Sequence, residues 1–248
     1  MKLALITNMI PPYRDILFSE IRKNKNVKDF CVYSFNKNEP NRKWVEDTKK
    51  DYQIIKTRGL SIIIGNKLNP IRIIHFYPKL ILKVINKRPD FIILGDISIT
   101  QYICLFVFHV FRIKTILWHE DSRKLYELNK ISRFIKSFLY KIPIKYITPS
   151  ISSKMQLIDM GIKDYKIAVI ANPINNDKFK NLYKKNIIKK SELRNSYGIS
   201  QNDLCFTFVG QLISRKRILE TAKLVRDFSQ VSNKKIYFVI CGNGDLLE

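Results

Sequence analysis

The sequence predicts an α/β fold in which a mostly parallel sheet is covered by helices on both faces. Short apolar runs recur along the chain, and segments with a helical apolar period separate them. The run Phe91–Leu94 is apolar without interruption, as expected of a strand buried on both faces, and Thr115–Trp118 reads as another buried strand. This alternation is typical of β-α-β units, which bind ligands beyond the carboxyl ends of their strands.

The elements of this fold can be placed in order along the chain. A first strand, Leu3–Thr7, precedes a helix that Pro12 opens, because proline fits the first helical turn. Further strands are predicted at Phe30–Ser34, Tyr52–Lys56, Ile62–Ile64, Phe91–Leu94, Thr115–Trp118, Tyr146–Pro149 and Ile167–Ile170. Further helices are predicted at residues 69–86, 98–111, 129–141 and 152–160. Ser150 is expected to cap the last of these helices, and Gly161 to end it.

A lysine-rich segment predicts a domain boundary in the second half of the chain. Residues 176–203 contain few apolar side chains and are expected to link a domain at 1–175 to a second domain at 204–248. The second domain reads as a strand, a helix and a strand, at 204–209, 218–229 and 236–241. One such unit cannot cover both faces of a sheet, so this domain is expected to be only partly present.

Composition limits the classes of protein that the sequence can encode. With 46% hydrophobic and 12% aromatic residues, the 248-residue chain can form cores, which excludes wholesale disorder. Lys and Arg number 45 against 21 Asp and Glu, and the net charge of +24 favours anionic partners such as nucleic acid, acidic lipid or sugar phosphates. The most apolar region, residues 91–118, contains too many polar interruptions for a membrane-spanning helix.

The four cysteines predict neither a metal site nor a redox site. Cys31, Cys104, Cys205 and Cys241 lie far apart in apolar stretches and form no C-x-x-C pair. We expect them to be reduced core residues of a cytosolic protein.

The strongest candidate for a ligand-binding site lies near the C-terminus. The stretch FTFVGQLISRKR at residues 206–217 joins an apolar run, a glycine and a basic cluster where a helix begins. A second apolar run ends in CGNGD at residues 241–245. Backbone N–H groups and cations presented in this way suit a phosphate ligand.

These residues resemble a known family, the family-four glycosyltransferases of GT-B fold, which are retaining enzymes that use nucleotide sugars. Residues 146–179, with YITPS, Gly161 and KIAVIANPI, are similar to the family's strand-serine-helix-glycine run and the "ipNpvd" element that follows. Residues 208–216 and 239–244 are similar to its "vGRL…K" and "ivGdGp" elements. The resemblance implies two Rossmann-like domains, an N-terminal one that is complete and a C-terminal one that is C-terminally truncated here, without the Glu-x7-Glu motif.

The resemblance also implies a donor site in the C-terminal domain. The family's matching lysine contacts the donor diphosphate, which makes Lys216 the first candidate; an exposed lysine at a helix start is the alternative. Gln211 stands where the family usually has arginine, so Arg215 or Arg217 is expected to compensate. Glycines complete the set of candidate diphosphate-binding residues: Gly210, Gly242 and Gly244. Their alternative role is a simple strand-ending turn.

Other candidates lie in the N-terminal domain. His119 follows a strand where the family often has a histidine that contacts the reacting sugar, and the alternative is a hydrogen-bonded structural histidine. Tyr13 and Arg14, in the family's first loop, and Asp96, after another strand, are expected on the acceptor side; placement on a helix surface or as a cap is the alternative. The basic segment 130–145 reads as a helix packed on the sheet, and its basic edge is suited to an acidic membrane.

The sequence thus predicts a glycosyltransferase that moves a sugar from a nucleotide-diphosphate sugar to a glycan or polyprenyl-linked acceptor. The family likeness implies bacterial surface polysaccharide synthesis in the cytoplasm, at or near the inner face of the membrane. We expect no metal and no other cofactor, because no Asp-x-Asp pair occurs and protein cations can serve the diphosphate. Two alternatives remain: an inactive, membrane-peripheral fragment, and a basic nucleic-acid-binding protein, although no nucleic-acid-binding motif is found.

Overall fold

A computed structural model describes residues 1–35, 50–56, 59–64, 72–95, 99–120 and 130–247. The chain divides into two compact units, Met1–Ile174 and Asn175–Glu248, called here the first and second unit. The segment predicted as a linker, 176–203, belongs to the second unit and is largely helical, with α6 at Asn176–Ile187 and α7 at Lys190–Ser196.

The first unit is built on a seven-stranded sheet whose paired strands are all parallel. Its strands are β1 (Lys2–Thr7), β2 (Asp29–Ser34), β3 (Gln53–Lys56), β6 (Phe91–Gly95), β7 (Lys114–Trp118), β8 (Lys145–Thr148) and β9 (Ile167–Val169). They lie in the order β3-β2-β1-β6-β7-β8-β9. The order reverses direction between β1 and β6. In sheets of this kind the carboxyl ends of the two strands at the reversal border a crevice. The predicted parallel α/β architecture is therefore confirmed.

Helices cover both faces of this sheet. They are α1 (Pro12–Lys23), α2 (Pro78–Lys87), α3 (Ile99–Val110), α4 (Lys130–Leu139) and α5 (Ile151–Asp159). On one face, Phe18 of α1 packs against Leu5, Val32 and Ile93. On the other face, buried side chains of the other four helices join one core with alternate strand residues: Leu80, Cys104, Phe108, Leu139, Leu157, Ile6, Ile92 and Leu117. Strand residues alternate between the two cores because successive side chains point to opposite faces.

One predicted helix is wrong in part. Residues 69–86 were expected to be helical, but Arg72–Phe76 is a strand, β5, that pairs antiparallel with β4 (Leu60–Ile64). The helix begins only at Pro78, because proline lacks the N–H that a helix interior requires. The β-branched Ile73 and Ile74 also favour a strand. Residues 69–71 lie outside the described residues.

The predicted caps of α5 are confirmed. The Ser150 side chain accepts a hydrogen bond from the Ser153 N–H, which satisfies one of the free donors at the helix start. Gly161 follows the helix with φ of 84°, a left-handed conformation that favours glycine. These caps fix how the chain leaves β8 and returns to β9.

The second unit contains one parallel strand pair, β10 (Leu204–Val209) and β11 (Ile236–Cys241), joined through helix α8 (Ile218–Val231). The rings of Phe206 and Phe228 meet edge to face at 5.9 Å, which fixes α8 against the strands. The strand-helix-strand order predicted from sequence is therefore found in this unit.

Cysteine burial differs between the units. Cys31 and Cys104 are buried, and burial raises the pKa of their thiols to about 11 and about 12. Cys205 is half-buried and Cys241 is exposed, so the prediction of four core cysteines is correct for the first unit only.

Among the described helices, none has the length and apolar character to cross a bilayer.

Candidate functional site

In the second unit, the two segments that follow β10 and β11 are joined by backbone hydrogen bonds. Gly210 N–H donates to the Cys241 carbonyl at 3.0 Å, and Leu212 N–H donates to the Asn243 carbonyl at 3.0 Å. Leu246 N–H donates in turn to the Leu212 carbonyl at 3.0 Å. The glycine-containing segments after both strands therefore form one paired turn (residues 210–217 and 242–246). It is called here the donor turn, after the role that the sequence predicts for it.

Two glycines of the donor turn are required by its backbone packing. A Cβ at Gly242 would lie 1.9 Å from the Gly210 carbonyl oxygen, and a Cβ at Gly244 would lie 2.4 Å from the Leu212 carbonyl oxygen. A Cβ at Gly210 would meet only the Phe208 ring, at 3.5 Å. For all three glycines the sequence left two explanations, close approach of a ligand and a simple strand-ending turn. Contact with the neighbouring backbone explains Gly242 and Gly244 without a ligand.

Cations follow the glycine in a tight connection. Ser214–Lys216 forms a short 3-10 helix, and Arg217, with φ of 54°, then turns the chain into α8. Arg215 and Lys216 are exposed, and within the described part of the chain neither forms an ion pair with a carboxylate. Their charges are therefore available to an anionic ligand.

Two other polar residues of the donor turn are engaged or partly enclosed. Arg217 lies 3.5 Å from Glu220, and a backbone hydrogen bond together with this arginine lowers the pKa of the Glu220 carboxyl. Gln211 is half-buried beside Gly210. Among the predicted donor residues, Arg215 and Lys216 are the exposed cations that form no ion pair with a carboxylate in the described part of the chain.

In the first unit, Arg14 lies at the crevice between β1 and β6. Its side chain is only 3% exposed, forms an ion pair with Glu120 and stacks over the Trp118 ring at 4.7 Å. A Cβ on Gly95 would lie 3.8 Å from Nη1 of Arg14, so the end of β6 approaches the guanidinium closely. Arg14 therefore joins the segment after β1 to the segment after β7.

The side chain of Gln101 closes the same crevice. Its Nε2 donates to the Gly95 carbonyl at 2.8 Å and to the Ile6 carbonyl at 3.5 Å. These bonds hold together the carboxyl ends of the two strands between which the strand order reverses. Sequence reasoning missed Gly95 and Gln101, and treated Glu120 only as a neighbour of His119. The signal that could have found them is their position at or shortly after the carboxyl ends of β6 and β7, on one side of the reversal.

His119 is enclosed by the first unit. It is 1% exposed; Nε2 lies 3.3 Å from Gln156 Oε1, and Nδ1 lies 3.2 Å from the Tyr140 hydroxyl. With the Gln156 amide in this orientation, its oxygen accepts from Nε2–H of the imidazole, and Nδ1 of that tautomer accepts from the Tyr140 hydroxyl. The Tyr140 ring also meets the imidazole edge to face at 5.5 Å. These contacts match the structural alternative; the catalytic role stays a prediction.

Of the two remaining acceptor-side candidates, the structure describes Tyr13 but not Asp96. Tyr13 is 38% exposed and its ring lies 5.9 Å from the Arg14 guanidinium, so it can meet a ligand from the surface. Asp96 lies outside the described residues. Within the described part, no group of three His, Cys, Asp or Glu side chains is arranged to hold a metal ion.

Helix α4 combines packing with exposure. Leu139 and the following Tyr140 are buried, whereas Phe134 and Phe138, one turn apart, are 74% and 60% exposed. Arg133 is also exposed on this helix. The predicted packing of α4 on the sheet is therefore found, and its exposed face combines aromatic and cationic side chains.

Comparison with known proteins shows similarity in fold. No family model matches the sequence, and no curated protein is detectably similar to it. Among solved structures, Anabaena HepE in complex with UDP is similar with a TM-score of 0.62 and 14% identity, over 98% of this chain and 61% of that one. A glycosyltransferase from Rickettsia africae is similar with a TM-score of 0.57 and 17% identity, over 97% of this chain and 60% of that one.

An epimerase shares the fold as well. UDP-GlcNAc 2-epimerase from Methanocaldococcus jannaschii is similar with a TM-score of 0.50 and 15% identity, over 96% of this chain and 65% of that one. The chain thus spans about three fifths of the length of HepE. These likenesses support the Rossmann-like GT-B fold expected from the sequence.

Proposed function

We propose that the protein is a nucleotide-sugar-dependent glycosyltransferase that acts with retention of configuration. The observation that carries this proposal is the donor turn, where Arg215 and Lys216 are exposed beside a glycine-bounded backbone pairing and have no ion pair with a carboxylate in the described part of the chain. Structures similar in fold were solved with UDP or UDP-glucose bound. A UDP-sugar is therefore the first donor to test.

The chemistry of transfer explains why cations are needed there. When the bond between the sugar and the diphosphate breaks, the leaving nucleoside diphosphate gains negative charge. Lys216 and Arg215 stabilise that charge more in the transition state than in the bound donor, which lowers the barrier. The same cations let the diphosphate bind without a metal ion.

Donor binding tests the proposal directly. Lys216→Ala is expected to weaken UDP binding roughly tenfold, since a hydrogen bond to a charged group is lost. The matched control is Lys223→Ala, which removes another exposed lysine, in α8. Calorimetry with UDP and with UDP-glucose gives the comparison. Equal affinity in the two variants would remove Lys216 from the donor site.

The reaction itself must be separated from epimerisation, because a UDP-GlcNAc 2-epimerase shares the fold. We favour transfer because the stretches at 166–174 and 208–216 resemble those of glycosyltransferases. Incubation with a labelled UDP-sugar and glycan or polyprenyl-phosphate acceptors is expected to give labelled acceptor. Release of an epimerised UDP-sugar, with no labelled acceptor, would identify the other activity.

We further propose that the protein acts in bacterial surface polysaccharide synthesis at the cytoplasmic membrane face. The exposed Phe134 and Phe138 of α4, beside cations, support contact with an anionic bilayer. Phe134→Ser with Phe138→Ser is expected to reduce flotation with phosphatidylglycerol vesicles. Flotation without UDP binding would favour the inactive-fragment alternative, and tight, salt-sensitive binding to duplex DNA would favour a nucleic-acid-binding protein.

A further inference from the structure

A second cationic feature lies at the amino edge of the sheet in the first unit, opposite the crevice of Arg14. There the ends of α2 and α3 and the starts of β6 and β7 surround a hollow of about 660 Å³. Its charged lining residues are Arg88, Asp90, Arg112 and Lys114, and Phe91 and Phe111 contribute apolar surface. The hollow thus joins three cations to an aromatic lining.

Two of these cations occupy backbone positions that disfavour any side chain. Arg88 follows α2 with φ of 45°, and Arg112 follows α3 with φ of 55°. In the described part of the chain, the third non-glycine residue with positive φ is Arg217 of the donor turn. Glycine is the usual residue in this left-handed conformation after a helix, because a Cβ there is strained. The backbone therefore does not explain why arginine stands at these two positions.

The charges of the hollow are not balanced by the carboxylate within it. Asp90 accepts a hydrogen bond from the Lys2 N–H at 2.7 Å, and its own N–H donates to the Lys2 carbonyl, so it serves to join β1 to β6. Across the described residues, Arg88, Arg112 and Lys114 form no ion pair with any carboxylate. Lys114 lies 5.6 Å from the centre of the Phe91 ring. Mutual repulsion of the three cations would fall when an anion binds.

The helix dipole offers a purely structural explanation for these arginines. A cation near a helix C-terminus is favourable; Arg88 directly follows α2, and Arg112 lies two residues beyond the end of α3. That effect is also obtained from lysine or arginine within the last turn, as Lys87 already shows, and it does not require a strained residue. The dipole therefore does not account for the convergence of both arginines on one hollow.

We propose that this hollow binds a phosphate group, with the two arginines as its ligands and the aromatic side chains as contacts for the rest of a phosphate ester. Planar guanidinium groups suit the oxygens of a phosphate better than an ammonium does. The ligand is a soluble phosphate ester or a phospholipid headgroup, which share this chemistry. The proposal is independent of the donor turn and of the proposed transferase activity.

Phosphate binding by the whole chain tests the proposal. Arg88→Gln with Arg112→Gln is expected to weaken binding of inorganic phosphate and of glycerol 3-phosphate roughly tenfold or more. Lys180→Gln with Lys184→Gln, two exposed lysines of α6, is the control of equal charge change and is expected to bind like the wild type. Equal binding by both double variants would overturn the proposal. UDP binding is expected to be unchanged in both.

Glycine substitutions separate the ligand role from the structural one. Arg88→Gly with Arg112→Gly removes the backbone strain, so we expect a higher Tm together with loss of phosphate binding. If the arginines serve only the helix dipole, the same variant loses stability and binds phosphate as the wild type does. That second result would overturn the proposal even if the glutamine variant fails to fold.

Vesicles distinguish the two sources of the phosphate group. The comparison uses the Phe134→Ser, Phe138→Ser background, so that α4 does not contribute, and vesicles of phosphatidylcholine with or without phosphatidylglycerol. Flotation that needs both phosphatidylglycerol and the two arginines identifies a headgroup site. Phosphate-ester binding without such flotation identifies a soluble ligand. Failure of the wild type to bind either would overturn the proposal.

Discussion

The polar groups at the carboxyl edge of the first unit and those of the donor turn in the second unit are held in opposite ways. Arg14 and His119 are buried, and each contacts polar partners in the first unit. Arg215 and Lys216 are exposed on a short connection and have no ion pair among the described residues. A buried, paired cation orients other parts of the protein, whereas an exposed, unpaired one is available to a ligand.

The difference separates residues that stability requires from residues that function requires. Removing a partner from a buried pair leaves an uncompensated charge, which is costly to the folded state. Removing an exposed lysine changes the free energy of unfolding little, but it lowers the positive electrostatic potential that attracts an anion. Stability measurements and ligand-binding measurements should therefore give opposite rankings for the two regions.

Arg14→Ala is expected to have the largest effect on stability. Loss of the buried guanidinium leaves Glu120 without its partner and Trp118 without its stacked neighbour, at a cost of about 3 kcal/mol. Urea denaturation followed by tryptophan fluorescence measures this, because both tryptophans of the chain precede residue 175. Retention of wild-type stability would mean that the ion pair does not join the two segments.

His119→Ala is expected to destabilise the protein by about 2 kcal/mol, because the Tyr140 hydroxyl and the Gln156 amide lose a partner in the interior. The same denaturation experiment detects the change, and sugar transfer is assayed in parallel. A variant that keeps its stability but loses transfer would establish the catalytic role for His119 that the family resemblance implies.

Gly242→Ala is expected to cost about 1–2 kcal/mol in the second unit, because its Cβ would collide with the Gly210 carbonyl oxygen. Gly210→Ala is the matched control, since its Cβ would meet only the Phe208 ring at ordinary contact distance. Hydrogen exchange of the β10 and β11 amides reports on this unit directly. If the two variants exchange alike, backbone packing does not explain the glycine at position 242.

Lys216→Ala is expected to have the smallest effect on stability, with no measurable change in the free energy of unfolding. Its side chain is exposed and, within the described structure, forms no ion pair. Hydrogen exchange of the β10 and β11 amides in this variant, beside urea denaturation of Arg14→Ala, gives the sharpest test of the contrast. Strong destabilisation would show that Lys216 has a structural partner in the folded protein.

Local sequence patterns predicted most of the strands and helices but not the contacts between them. Pro12 and Ser150 mark the starts of helices and Gly161 marks the end of one. Proline, a capping hydroxyl and glycine each act within one helical turn, so these signals are local. The helix expected at 69–86 failed at Pro78 for the same local reason. Gln101 gave no such signal, because its bonds to Ile6 and Gly95 depend on the packing of distant strands.

The sequence alone determined the alternation of strands and helices, the large positive charge and the pairing of glycines with cations near the C-terminus, since these follow from residue type and spacing. Only the tertiary structure decided which polar residues are enclosed and which remain available. It placed His119 between Tyr140 and Gln156, and brought Arg88 and Arg112 to one hollow. Burial and charge pairing depend on residues far apart in the chain, which no local pattern records.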